Sequence, residues 1–141
     1  TTAPTLGRFE SAALDCRADA IRSLLSLVRD RSGADLSPLS ARLLRTKPGG
    51  YALSKGLERL RPSGCTATIV LVLNEAVQQA GGEWVWHGAH GPVAMQSLEP
   101  GTISVMHHGA ALAAYVRPLT PGSSARHALR LVIWCSGAPL P

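Results

Sequence analysis

The chain has 141 residues, 45% of them apolar and 16% charged. That suffices for one hydrophobic core and excludes a disordered tail or a coiled coil. The net charge of +5 comes from 14 Lys+Arg against 9 Asp+Glu. All the basic residues except Lys47 and Lys55 are arginines, and they are scattered rather than clustered. With aromatics at only 4%, stacking platforms for single strands are lacking, and a basic nucleic-acid-binding module is the least favoured reading.

Residues 1–9 form a polar, proline-containing lead-in anchored by Leu6 and Phe9. From Glu10 onward, Leu14, Ala18, Ile21, Leu25 and Val28 recur at steps of four and three, the spacing of one helical face. A helix is therefore expected over about 11–31, with Ser11 as N-cap and Gly33 as its stop. Asp35-Leu36-Ser37-Pro38 reads as a turn and 41–45 as a short strand, ended by Lys47-Pro48-Gly49-Gly50. The run 66–73 is β-branched and apolar on both parities, as in a strand covered on both faces. It is too short to cross a bilayer. Further short strands are expected at 83–87, 93–98, 102–106 and 112–117, with Gly, Pro or Asn in most gaps. The last strand, 126–135, alternates: Leu129, Leu131 and Ile133 on one face, Arg126, Ala128, Arg130 and Val132 on the other. One helix followed by six or seven strands predicts an α+β, mostly β domain built on a sandwich or jelly roll. A single domain over 1–141 is expected.

The order of these elements resembles a known family. Leu43-Leu44-Arg45-Thr46-Lys47-Pro48-Gly49-Gly50-Tyr51 looks like the strand and glycine turn before the metal motif of prolyl 4-hydroxylase-like enzymes. Those enzymes belong to the 2-oxoglutarate and Fe(II)-dependent dioxygenases. Thr68 to Asn74 resembles their next core strand, which ends in Leu-Asn. Gly81-Gly82-Glu83, followed by Trp84 and Trp86, resembles the GGE-x-x-F turn, and Leu98-Glu99-Pro100-Gly101 the P-x-x-G stretch. Val116-Arg117-Pro118-Leu119-Thr120-Pro121-Gly122, then Arg126 and Trp134, resembles the closing segment. The resemblance spans about 35–135 and implies a double-stranded β-helix (jelly roll) over about 36–135, supported from outside by the N-terminal helix.

The same resemblance implies a metal site that these residues do not supply. The family holds Fe(II) with a 2-His-1-carboxylate facial triad that leaves positions open for 2-oxoglutarate and oxygen. Its His-x-Asp falls at Lys55 and Leu57, or one residue earlier at Ser54 and Gly56. Its distal His falls at Ala114, four residues before Pro118. No histidine occurs before His87. A lysine ammonium at the metal position would repel Fe(II), and Glu58 alone, one residue off register, would not hold iron. Arg126 matches the basic residue that anchors the distal carboxylate of 2-oxoglutarate. If the face carrying Leu129, Leu131 and Ile133 lines the barrel, Arg126 points outward.

Other readings are weaker. His87 with His90, or one of the adjacent pair His107 and His108, would be alternative metal ligands, but with Glu99 their spacing matches no cupin set. Trp84 and Trp86 share one strand face and read as core, or as a partner contact. Cys16, Cys65 and Cys135 are too separated for a disulfide framework or zinc knuckle; Cys65 and Cys135 read as buried thiols. No serine or cysteine carries a recognised nucleophile motif. The expectation is a non-catalytic dioxygenase-like domain, with no cofactor, acting as a structural or binding subunit with other protein subunits. The alternative is an active hydroxylase using Fe(II) and 2-oxoglutarate through unorthodox ligands. Because the chain starts at Thr1 rather than Met, an intracellular location is expected, organellar after removal of a targeting peptide.

Overall fold

The computed structural model describes residues 6–74, 81–107, 112–119 and 127–137. After a two-residue strand β1 (Gly7–Arg8), the chain forms β2 (Glu10–Leu14), α1 (Asp19–Ser32), β3 (Ser37–Thr46) and β4 (Tyr51–Ala52). The short helix α2 (Ser54–Glu58) leads to β5 (Ala67–Val72), β6 (Trp84–Gly88), β7 (Gly91–Met95), β8 (Ile103–His107), β9 (Ala113–Val116) and β10 (Ala128–Ser136). The strands form two five-stranded sheets, β1-β4-β9-β6-β7 and β2-β3-β10-β5-β8. This is the expected mostly β jelly roll with a supporting helix.

Side-chain parity on β5 and β10 explains how the layers stack. Val70, Val132 and Trp134 point between the two sheets, where they join Phe9, Leu44, Trp84, Trp86 and Val116 in one core cluster. Ile69, Leu131, Ile133 and Cys135 point the other way, into a second cluster closed by Ile21, Leu24 and Val28 of α1. A strand buried on both faces must be apolar on both parities, which is why 66–73 shows no alternation. The condition that the Leu131–Ile133 face lines the barrel is therefore not met. That face lies under α1, and the even-numbered face of β10 lines the space between the sheets.

The helix begins eight residues later than its periodicity indicates. Residues 10–14 pair with β3, from Glu10↔Arg45 to Leu14↔Ala41, and Leu14 is exposed. Ala18, not Ser11, is the N-cap; Asp19 supplies the acidic residue of the first turn, and Gly33 closes the helix in the left-handed region at φ 78°. Leu14 and Ala18 fit the helical spacing by coincidence; strand pairing to β3 decided the conformation. Ser37 and Pro38, read as a turn, begin the long strand β3.

Candidate functional site

The site is organised by β4 and the turn that follows it. Ala52 of β4 pairs with Val116 of β9 in antiparallel register. β4 ends at Ala52 and the chain turns into α2, so Ser54 and Ala114 come together as lining of one cavity rather than as a strand pair. Turn bonds from Leu119 N–H to the Gly50 carbonyl (2.8 Å) and from Gly49 N–H to the Leu119 carbonyl (2.7 Å) hold the Gly-Gly turn against the end of β9. The chain then winds into α2 because Gly56 lies flat on the lead-in. A Cβ there would stand 2.0 Å from the Leu6 carbonyl oxygen.

Ser54, Leu57 and Ala114 line one small cavity of about 30 Å³, whose walls include Trp84, Trp86 and Trp134. That volume admits about two water-sized groups. The Ser54 hydroxyl is hydrogen-bonded to His87 Nε2 at 2.7 Å. The His87 ring packs at 5.4 Å, centroid to centroid, on the ring of Tyr115. Glu58 and Arg61 complete one side of the cavity, with Arg61 Nη1 3.4 Å from Glu58 Oε1 and its Nη2 donating to the Cys65 carbonyl at 3.3 Å. Trp84 and Trp86, whose ring centroids are 6.1 Å apart, are 1% and 4% exposed. They are core and cavity wall, and so buried they offer no surface to a partner. The Trp84 Nε1 donor is buried without a hydrogen-bond partner among the described residues.

The two registers for the metal ligands place different residues at the cavity. Ser54 lines it with Ala114, whereas Lys55 is exposed on α2. Leu57 reaches the cavity too, because the chain is helical there. The donor set of Ser54, Gly56 and Ala114 does not fit iron: a hydroxyl, a glycine and a methyl supply neither the two imidazoles nor the carboxylate of a facial triad. Among the described residues, no three His, Cys, Asp or Glu side chains come together as metal ligands.

His107 pairs with Ala67 of β5, which places it on the face turned toward α1 and away from Ser54. Both its ring nitrogens are buried without hydrogen-bond partners among the described residues. His108 and Arg126 lie outside the described residues. His90 and Glu99 are exposed.

Arg130 lies in the interior. It shares the inward parity of Val132 and Trp134, is 3% exposed, and donates through Nη2 to the Gly82 carbonyl. Burial lowers its pKa to about 10, partly offset by the nearby Glu83 carboxylate. Glu83 itself pairs with Arg117 at 3.3 Å. Parity with Trp134 was the available signal for Arg130. No sequence signal links Ser54 to His87, 33 residues apart.

The two antiparallel sheets form a jelly roll, a fold shared with solved prolyl hydroxylase and 2OG-Fe(II) oxygenase structures. Solved structures with this fold align over nearly the whole chain. A Pseudomonas putida prolyl-4-hydroxylase superposes with a TM-score of 0.68 at 21% identity, covering 99% of this chain and 77% of its own. The viral collagen prolyl hydroxylase of Paramecium Bursaria Chlorella virus-1 superposes at 0.64 and 12% identity, covering 96% and 82%. A 2OG-Fe(II) oxygenase family protein from Burkholderia pseudomallei superposes at 0.60 and 17% identity, covering 94% and 68%. No family model matches the sequence, and no curated protein matches it. The shared property is the fold, which by itself does not carry the activity.

Proposed function

We propose that this chain is a dioxygenase-fold domain without oxygenase chemistry, working as a binding or structural subunit among other proteins. One observation carries the reading: Ser54 and Ala114, at positions that the family resemblance gives to metal-binding imidazoles, line the same cavity and neither is a histidine. Neither side chain binds Fe(II) with useful strength, and Gly56 contributes no carboxylate. Trp84, Trp86 and Trp134 fill much of the space between the sheets and leave about 30 Å³ beside Ser54, room for about two water-sized groups. The fold is then retained for its rigid two-sheet scaffold, and no helix among the described residues is long and apolar enough to cross a membrane.

The test is anaerobic calorimetric titration with Fe(II), with and without 2-oxoglutarate. Absence of stoichiometric binding at micromolar concentrations supports the reading. One equivalent of Fe(II) bound in that range overturns it and makes the chain a hydroxylase with unorthodox ligands. Binding of 2-oxoglutarate without metal would overturn the claim of a filled barrel and make the domain a sensor of that acid.

A further inference from the structure

We propose that Ser54 and His87 form a serine–histidine dyad that takes up and hydrolyses a small, acetyl-sized acyl group. The proposal goes beyond the loss of iron chemistry: it gives the site beside Ala114 a reaction of its own.

Three observations meet at Ser54. Its hydroxyl and His87 Nε2 are 2.7 Å apart, within reach for direct proton transfer from a nucleophile to its base. Ser54 occupies a strand-to-helix turn, from β4 into α2, though its neighbours do not form the G-x-S-x-G motif. Ser54 here opens the helix after an extended Leu53 (φ −84°, ψ 157°), so the turn is reached without backbone strain at the serine. The flanking small residues are dictated by packing: Ala52 is 2% exposed, and a Cβ on Gly56 would meet the Leu6 carbonyl at 2.0 Å. The third observation is the cavity. Ser54 lines it together with Trp84, Trp86 and Trp134 and with Glu58 and Arg61, and it opens to solvent on one side. His87 approaches the serine from β6, its ring resting on Tyr115.

The cavity sets the substrate class. A volume of about 30 Å³ takes a carbonyl and a methyl group, on the scale of two water-sized groups. A longer acyl chain would have to extend beyond this space toward the open side of the cavity. The reaction balances without any further reagent than water. Ser54 Oγ bonds to the acyl carbon of an ester as its proton passes to His87 Nε2. The bond from that carbon to the ester oxygen breaks, and the alcohol leaves with the proton. Water then bonds to the acyl carbon and gives a proton to His87. The bond to Ser54 Oγ breaks, the proton returns to that oxygen, and the carboxylic acid is released.

The experiment treats the intact chain with p-nitrophenyl acetate and with p-nitrophenyl butyrate, and locates the acyl group by intact mass and fragment-resolved peptide mapping. The expected result is one acetyl per chain on Ser54, formed faster than the butyryl adduct. Ser54→Ala abolishes it, and His87→Gln, which keeps a hydrogen bond but accepts no proton, slows it by about a hundredfold or more. Acetyl found only on Lys47, Lys55 or the N-terminal amine overturns the proposal. So does an unchanged rate of Ser54 acetylation in His87→Gln. Should Ser54→Ala fail to fold by circular dichroism, the mapping on the unaltered chain still decides. The iron titration is read on the same protein, so failure of the dyad and failure of the non-oxygenase reading remain distinguishable.

Discussion

Replacing Gly56 by alanine sets two magnitudes of opposite sign against each other. Gly56 sits inside α2, where alanine is intrinsically better by about 1 kcal/mol. The substitution would be mildly stabilising if helix propensity decided the outcome. The structure says otherwise. The added Cβ would stand 2.0 Å from the Leu6 carbonyl oxygen and 3.2 Å from the Phe9 ring. The first contact falls more than 1 Å inside van der Waals separation, and its partner is backbone, which cannot swing aside like a side-chain end. That carbonyl also accepts the Leu53 N–H at 3.1 Å, and the neighbouring residue carries the Gly7↔Ala52 pairing of β1 to β4. Moving Leu6 away therefore costs about 1–3 kcal/mol for overpacking and about 1 kcal/mol for the lost hydrogen bond. After the propensity gain, a net loss of about 1–3 kcal/mol is expected. Urea unfolding followed by tryptophan fluorescence would show a lower midpoint at an unchanged slope. A variant as stable as the parent, or more so, would refute the claim that the lead-in is packed directly on α2.

Three further outcomes follow from the same contacts. Ile21→Ala, at a position 3% exposed beneath α1, should cost about 2–5 kcal/mol in the same urea assay; a loss under about 1 kcal/mol would mean that α1 is only loosely seated. Cys135, whose thiol burial pushes up to about 12 with Cys65 and Cys16 adding smaller effects, should resist iodoacetamide at pH 8 in the native state while partly exposed Cys16 reacts. Equal reactivity would show that the second core cluster opens. Lys47, 2.9 Å away, and then Arg45 hold the Glu10 carboxyl down at about 2, against an ordinary value of 4.5. A depressed folded-state pKa gives stability that is present above pH 4.5 and lost as the pH falls from 4.5 toward 2. Because Glu10 is solvent-exposed, salt screens the effect. Carboxyl NMR titration should place its midpoint near 2 at low ionic strength and higher in 1 M NaCl, and a midpoint near 4.5 in both would remove the pairing.

Much of the fold was legible because its strongest signals are local. The double-parity apolar run at 66–73 and the Gly-Gly turns at 49–50 and 81–82 each reflect a constraint that acts within a few residues. Where the reading failed, a distant partner decided. Ser11 to Leu14 have residues that suit a helix, yet pairing with β3 made them a strand; propensity is a weak prior against a sheet edge. The five residues of α2 are too few to show a period. At the site, counting from Gly50 and from Pro118 led to Ser54 and Ala114, which line one cavity, but that Ser54 rather than Lys55 lines it depends on how α2 is seated. The hydrogen bond of Ser54 to His87 depends on β6 arriving beside β9, which no local pattern records.

The most direct measurement compares the unaltered chain with the double variant S54H/A114H by anaerobic calorimetric titration with Fe(II). If Ser54 and Ala114 line one cavity at the fold's metal position, the double variant gains two imidazoles converging on one point. It should then bind one equivalent at least tenfold more tightly than either single variant, with the unaltered chain showing no stoichiometric binding. Binding of Fe(II) by the unaltered chain, or a double variant no better than the singles, would contradict the account.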